Sequence, residues 1–217
     1  MKHVVKGAEP REFADWKALA NDAWQPRYAD LRDPEKAVLH DALLAEQGRV
    51  CCYCGRAVTR TDSHIEHFRP QESHDRLSLD YGNLHASCIR ETKPGRPLHC
   101  GHAKGSGFDE GVAISPLDAG CERRFIYPAD GSIAPTLRED AGAAYMIELL
   151  CLDLPFLRDR RSEALRRIFD AAFLETMHRS ELETLMRACL EPDASGSVMD
   201  FGHAIARHAE QLLEFVA

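Results

Sequence analysis

The chain has 217 residues, of which 44% are hydrophobic, and its formal net charge is −8. This length and composition allow one globular domain with an accessory part, and they exclude a low-complexity or fibrous protein. The negative charge also disfavours a protein that holds nucleic acid through its overall field, because phosphate contacts supply most nonspecific affinity.

The chain shows no sequence signature of export or membrane insertion. The N-terminal residues lack the apolar run of a signal peptide, and the most apolar stretch, residues 141–147, is too short to span a bilayer. We therefore expect a cytoplasmic protein. Eight cysteines in such a chain favour metal ligands or free thiols over disulfide bonds.

The first part of the predicted α+β fold, residues 1–48, is an N-terminal arm with two helices. A short helix is predicted at residues 13–23. The second is predicted to begin at Asp33 and Pro34, which suit the N-cap and N1 positions, and to end before Gly48.

Three further parts follow the arm. Residues 49–110 contain short strands and loops that are dense in Cys, His, Gly and Pro, residues 111–138 form a short β segment, and residues 139–217 form a helical region. The main helices expected in the last part are at residues 155–177, 180–190 and 197–215.

Four cysteines are candidate ligands of a structural metal. Cys51 and Cys54 form a C-x-x-C knuckle, and Cys88 and Cys100 follow it. Four thiolates in a tetrahedral array make a closed structural zinc site. Cys51 is preferred to Cys52 because only Cys51 has two residues between itself and Cys54.

A second group of residues between these cysteines suits catalysis. Glu66 can bind a hard divalent cation such as Mg²⁺, and the adjacent His67 can take a proton from water. Asn83 lies in a Tyr-Gly-Asn turn, where its amide can hold a neighbouring loop. His102 can supply another metal ligand. A structural zinc beside a histidine-based metal site points to a nuclease.

Further residues extend this candidate site. Arg69 and Lys104 are candidates for contacts with substrate phosphates. His64 shares a strand face with Glu66, and His85 lies close to Asn83, so either histidine is a second-tier metal-site candidate. The loop at 89–99 is either a further phosphate contact or an ordinary solvated loop, and its basic residues are Arg90, Lys93 and Arg96.

The pattern resembles the HNH endonucleases, and within them the PtuB-type effectors of Septu and retron-linked anti-phage systems. The matching segments are 51–54, 65–70, 81–84, 87–88 and 100–108, with weaker similarity at both ends of residues 1–140. The resemblance implies a ββα-metal finger braced by a four-cysteine zinc. This chain has Gly101 where the family often has Asn.

The resemblance also implies roles for individual residues. His67 becomes the general base, Glu66 and His102 the ligands of Mg²⁺ or Mn²⁺, and Asn83 the residue that orients a loop. The implied substrate is nucleic acid; DNA is the preferred expectation, and RNA stays open. The implied partners are a PtuA-type ATPase and, in some systems, a retron.

The charge distribution is consistent with such a partner. Residues 51–110 carry 8 basic and 8 acidic side chains, whereas residues 111–217 carry 11 basic and 18 acidic ones. The acidity therefore lies outside the candidate site, and an ATPase partner is expected to supply the DNA-binding charge that the nuclease lacks.

Two rival functions remain open. The zinc module can instead be a noncatalytic adaptor that binds nucleic acid or protein, with Glu66 and His67 only supporting its fold. A zinc hydrolase of another class requires three protein ligands and a bound water. Four cysteines close the zinc site, which disfavours that class.

Overall fold

An antiparallel hairpin followed by a short helical turn lies in the middle of the chain. The computed structural model describes residues 1–213. Strand β1 (Ser63–His67) pairs with β2 (Leu84–Cys88), and the turn α3 (Gly101–Lys104) follows. The register places Ser63 opposite Cys88 and His67 opposite Leu84. The hairpin thus has one end at a zinc-ligand candidate and the other at the candidate base.

Helices and one small sheet surround this hairpin, which confirms the predicted α+β class. The second sheet pairs β3 (Phe125–Ile126) with β4 (Ala134–Pro135). The remaining helices are α1 (Arg11–Lys17), α2 (Glu35–Glu46), α4 (Ala141–Leu149), α5 (Pro155–Arg166), α6 (Ala171–Thr176), α7 (Arg179–Leu190) and α8 (Gly202–Leu213). Among residues 1–213, no helix combines the length and apolar character needed to cross a membrane.

Helix α2 covers one side of the hairpin. Its buried residues Leu39, Leu43 and Leu44 recur at helical spacing, and each full burial contributes roughly 1.5–3 kcal/mol. The buried ring of His40 adds a hydrogen bond between Nε2 and Ser63 Oγ at 2.9 Å. This packing fixes the first residue of β1.

Two hydrophobic clusters organise the described residues. The larger one combines side chains from the arm, the hairpin, β3 and α4, including Phe13, Leu84, Phe125 and Met146. The smaller one joins the end of α5 to α7 and α8. Helix α5 contributes to both, so it connects the hairpin region to the last helices. The four-part division of the chain stays a prediction.

Several predicted helix boundaries are wrong. The helix expected at 155–177 is two helices, because the Asp170 side chain accepts a hydrogen bond from Phe173 N at 2.8 Å and starts α6. Helix α1 ends at Lys17 rather than residue 23, and the Asn21 side chain accepts from two following amides instead. Helix α2 begins at Glu35, after Pro34.

The last predicted helix is shorter at its start than expected. The prediction placed it at 197–215, whereas α8 begins at Gly202. Residues 214 and 215 lie outside the described residues.

Candidate zinc centre and active site

Four buried cysteines meet at the open end of the hairpin, where Ser63 pairs with Cys88. The Sγ atoms of Cys51, Cys54, Cys88 and Cys100 all lie within 4.8 Å of one another. Tetrahedral zinc with Zn–S bonds of about 2.3 Å would place its sulfurs about 3.8 Å apart, so this set fits zinc. Cys52 is buried beside the group but is not a member, which agrees with the choice made from spacing.

Polar groups around the cysteines support thiolate charge. Arg56 Nε donates to Cys88 Sγ at 3.5 Å, and the Cys88 amide donates to Cys51 Sγ at 3.4 Å. Burial alone would raise the pKa of Cys51, but hydrogen bonds from neighbouring cysteines, Cys100 first, hold its pKa well below the usual value. With no ion to share the charge, burial raises the pKa of Cys100 well above the usual value, so the four thiols do not ionise together without a metal. Deprotonated cysteine is the form that binds zinc.

The turn after the knuckle requires glycine. Gly55 has φ +73°, and a Cβ there would lie 2.2 Å from the His203 ring. The Gly55 carbonyl accepts from Phe201 N at 2.9 Å. The C-terminal helix α8 therefore packs directly against the zinc knuckle.

Glu66 lies at the other end of β1, with three polar partners around its buried carboxylate. Tyr53 donates its hydroxyl to Oε1 at 3.1 Å, Lys104 Nζ lies 3.0 Å from the same oxygen, and His64 Nε2 lies 3.2 Å from Oε2. Burial would raise the pKa of Glu66, but the His64 hydrogen bond and the Lys104 charge lower it overall. The side chain is therefore held as a carboxylate.

His64 and His102 share one backbone acceptor. The Ile89 carbonyl lies 2.7 Å from His64 Nδ1 and 2.9 Å from His102 Nε2, and the two rings are 4.3 Å apart. Both contacts are to acceptors, so both His64 nitrogens donate, and the Glu66 hydrogen bond and charge raise the pKa of His64 despite its burial. The structure thus brings His64, the second-tier candidate, into direct contact with Glu66. His102 lies behind it on the same cavity.

His67 follows Glu66 and also lines this cavity, whose volume is about 300 Å³. Its Nε2 lies 3.0 Å from the Ser78 carbonyl, and its ring contacts the edge of Tyr28 at 4.4 Å between centroids. A carbonyl accepts, so Nε2 carries the proton and Nδ1 keeps its lone pair. Burial lowers the pKa of His67, so the neutral ring prevails at pH 7.

Asn83 fastens the loop between the strands. Its Oδ1 accepts from Arg69 N at 2.7 Å, and its Nδ2 donates to the carbonyls of Arg69 and Leu77 at 3.0 and 3.1 Å. Every hydrogen bond of the Asn83 side-chain amide is therefore made to backbone atoms, at the start and in the middle of the loop. Ser78, the partner of His67, directly follows Leu77.

The two phosphate-contact candidates occupy different environments. Arg69 lies at the surface and pairs with Glu110 at 3.0 Å. Lys104 is buried, where Nζ pairs with Glu66 and donates to the His67 carbonyl at 2.9 Å. Phosphate contact by either residue stays a prediction. In the described structure the Lys104 ammonium forms an ion pair with the Glu66 carboxylate.

His85 lies opposite Glu66 in the strand register. It is fully buried, and neither ring nitrogen has a hydrogen-bond partner within residues 1–213. Burial, and next the Lys6 charge, lower the pKa of His85 far below the usual value. The ring is neutral and shielded from solvent.

Two residues of the site were missed by sequence reasoning. Tyr53, inside the knuckle, is not among the predicted site residues, although its hydroxyl reaches Glu66 on β1. Ser78 acts through its backbone carbonyl, which no side-chain pattern reveals. The same holds for a third group, the backbone carbonyl of Ile89, which a sequence pattern cannot identify as a site group.

Comparison with known proteins is consistent with this geometry. No protein-family model matches the chain. Over 154 residues the chain is 27% identical to a Vibrio cholerae serotype O1 biovar El Tor protein named "Retron Vc95 putative HNH endonuclease", covering 68% of this chain and 73% of the relative. This similarity supports placement in the HNH endonuclease superfamily.

Proposed function

We propose that the chain is a metal-dependent HNH endonuclease of the PtuB type, which hydrolyses phosphodiester bonds in nucleic acid, DNA rather than RNA. The observation that carries the proposal is the arrangement at the end of β1. There a carboxylate, Glu66, and a neutral histidine, His67, share one cavity, and the Asn83 amide fastens the loop that orients the histidine.

His67 acts as general base in this proposal. Its Nε2–H is directed to Ser78, so Nδ1 is the atom that removes the proton from water. The neutral ring at pH 7 is the competent form, and burial favours it. The resulting hydroxide attacks phosphorus in line with the leaving oxygen.

The donor set at Glu66 suits a divalent cation, because its carboxylate is held ionised beside the rings of His64 and His102. Gly101 lets Glu66 and His64 pack close to the backbone, since a Cβ there would lie 2.2 Å from Glu66 Oε2 and 2.7 Å from His64 Nε2. Carboxylate oxygen suits Mg²⁺ or Mn²⁺. Glu66 and His102 would hold the ion, with His64 beside them. The bound ion would supply charge stabilisation for the phosphoryl oxygens.

The four-cysteine zinc is structural in this proposal. It ties the knuckle, the end of β2 and the start of α3 together, and α3 carries Lys104 to Glu66. A closed set of four protein ligands leaves no position for water or substrate.

The protein is further proposed to act with an ATPase partner of the PtuA type in an anti-phage system that includes a retron. The support is the resemblance and the name of the Vibrio relative. Glu175, Glu181 and Glu183 are exposed on α6 and α7, where a basic partner surface can reach them, although Glu181 also accepts from His178 N and Glu183 pairs with Arg179.

A metal titration of plasmid nicking tests the proposal. Wild-type protein should nick plasmid only with Mg²⁺ or Mn²⁺, and Glu66→Gln and His102→Ala should raise the metal concentration needed for half-maximal activity. His85→Ala serves as the matched control and should titrate like wild type. If His85→Ala shifts the titration and His102→Ala does not, the ligand assignment is wrong. Absence of metal-dependent nicking would favour the noncatalytic adaptor.

A further inference from the structure

A second and larger cavity lies at the opposite end of the hairpin from Glu66 and His67. Its volume is about 1150 Å³, and it lies between the start of α2, residues 56–62, residues 89–99 and the start of α5. We call it the basic groove. Ile89 lines it, and the Ile89 carbonyl is the acceptor of His64 and His102. The groove therefore adjoins the candidate active site at Ile89.

Positive charge is concentrated in this groove although the chain is acidic. Its seven basic side chains face three acidic ones, Asp33, Asp62 and Glu91. Two of the seven are already paired, Arg56 with Asp62 at 3.3 Å and Arg60 with Asp41 at 3.0 Å. The other five have no carboxylate partner within 4.0 Å among residues 1–213, and these are Lys36, Arg90, Lys93, Arg96 and Arg160.

The five cations come from three distant parts of the sequence. Lys36 is on α2, Arg160 is on α5, and the rest are on the loop at 89–99. Gathering unpaired like charges around one concavity costs Coulomb energy that a bound polyanion would recover. This arrangement favours a ligand with several phosphates over a simple solvated loop.

The groove also offers apolar surface. The half-buried ring of Phe156 lines it, with the buried ring of His99 behind it at 5.0 Å between centroids, and Leu98 is 40% exposed nearby. Cationic grooves with aromatic platforms bind single-stranded nucleic acid, because phosphates pair with the cations and bases stack on the rings. Stacking on an aromatic ring requires unpaired bases, which a single strand presents along its length and an intact duplex does not.

We propose that the basic groove binds a single-stranded segment of the nucleic-acid substrate, next to the position cleaved at His67. The inference rests on the proposed function. From Ser63 to His67, four residue steps along β1 cover about 13 Å.

The test measures binding of a 20-nucleotide oligodeoxythymidylate by fluorescence anisotropy over a range of salt concentrations. All proteins carry His67→Ala, so that cleavage does not interfere. The groove variant is Lys93→Glu/Arg96→Glu/Arg160→Glu. The control variant, Arg138→Glu/Arg166→Glu/Arg187→Glu, makes the same charge change at exposed positions outside the groove. Zinc content and melting temperature show whether each variant is folded. If the groove variant does not fold, the same three positions are changed to Gln.

The groove variant should bind at least about tenfold more weakly than the control. The slope of log K against log salt should be smaller in magnitude by about 2, since each single-strand phosphate contact contributes about 0.7. Equal loss in both variants would overturn the proposal, because net charge alone would then explain it. Equal affinity for a duplex of the same length, or displacement of the strand by ATP at comparable affinity, would also overturn it.

A second measurement separates this proposal from the nuclease proposal. With His67 intact, the groove variant should raise KM for a single-stranded substrate more than it lowers kcat. If strand binding depends on the groove but no variant cleaves, the nuclease proposal is refuted and the groove proposal stands. If the groove variant cleaves with an unchanged KM, the groove proposal is refuted and the nuclease proposal stands.

Discussion

His67 donates a hydrogen bond from Nε2 to the Ser78 carbonyl over 3.0 Å. Ser78 lies in the loop between β1 and β2, so this contact depends on the conformation of that loop. The loop is fastened by Asn83, whose amide contacts the residue just before Ser78. The position of the proposed base is thus set by a third side chain that does not contact the cavity.

Replacing Asn83 with Ala should therefore affect both stability and catalysis. Three hydrogen bonds are lost, each with a net value of about 1 kcal/mol, so the free energy of unfolding should fall by roughly 2–3 kcal/mol. Plasmid nicking should fall further than stability explains, at temperatures where the variant is folded. Ser73→Ala, on the same exposed loop, is the control and should change neither quantity. Nicking that stays at the wild-type rate in folded Asn83→Ala would contradict this role.

The environment of His67 predicts the pH dependence of cleavage. Burial lowers its pKa from the usual 6.5, and only the neutral ring accepts a proton. The acid limb of kcat/KM should accordingly have its midpoint below pH 6.5, with activity lost as pH falls through it. Tyr28→Ala exposes the ring and should move this midpoint upward. If Tyr28→Ala leaves the midpoint unchanged, the acid limb does not arise from protonation of His67.

The buried pair of Glu66 and Lys104 should show strong energetic coupling. Their side chains are 8% and 2% exposed, so removing one partner leaves an uncompensated buried charge and should cost about 3–5 kcal/mol. A double-mutant cycle with Glu66→Gln and Lys104→Met, measured by urea unfolding, should give a coupling of about 1–3 kcal/mol. The exposed pair of Arg60 and Asp41 should give less than about 1 kcal/mol. Similar couplings for the two pairs would show that burial does not strengthen the first.

The zinc assignment predicts a clear difference between adjacent cysteines. Cys88→Ser/Cys100→Ser should lose zinc and unfold the region around the hairpin, because structural zinc binding contributes directly to folding free energy. Cys52→Ser, which changes a buried neighbour outside the group, should keep one zinc per chain. Elemental analysis of both purified variants decides the matter. Undiminished zinc in the double variant would refute the ligand set.

The local residues of the hairpin were predictable because their chemistry depends on spacing. The C-x-x-C spacing favoured Cys51 over Cys52, and Cys51 lies in the buried four-cysteine group. The order of Glu66, His67 and Asn83 led to side chains that surround one loop and one cavity. Contacts to backbone carbonyls at Ser78 and Ile89 could not be predicted, since any residue presents a carbonyl. Burial of Lys104 was likewise hidden, because it follows from packing of a four-residue turn against β1.

Longer-range features were the least predictable. Arg90, Lys93 and Arg96 were visible as a basic loop, but their convergence with Lys36 and Arg160 depends on how α2 and α5 pack. The break between α5 and α6 was missed because apolar periodicity continues through it, while the Asp170 cap acts locally.

The most direct test of the central claim is cleavage of plasmid by purified protein in Mn²⁺ or Mg²⁺, compared between His67→Ala and His74→Ala. Both variants remove an imidazole, from the end of β1 and from the following loop, respectively. Loss of a positioned general base should lower the rate by about 10²–10⁴-fold in His67→Ala with zinc retained, while His74→Ala stays near wild type. Equal rates in the two variants, or no metal-dependent cleavage by wild type, would contradict the account.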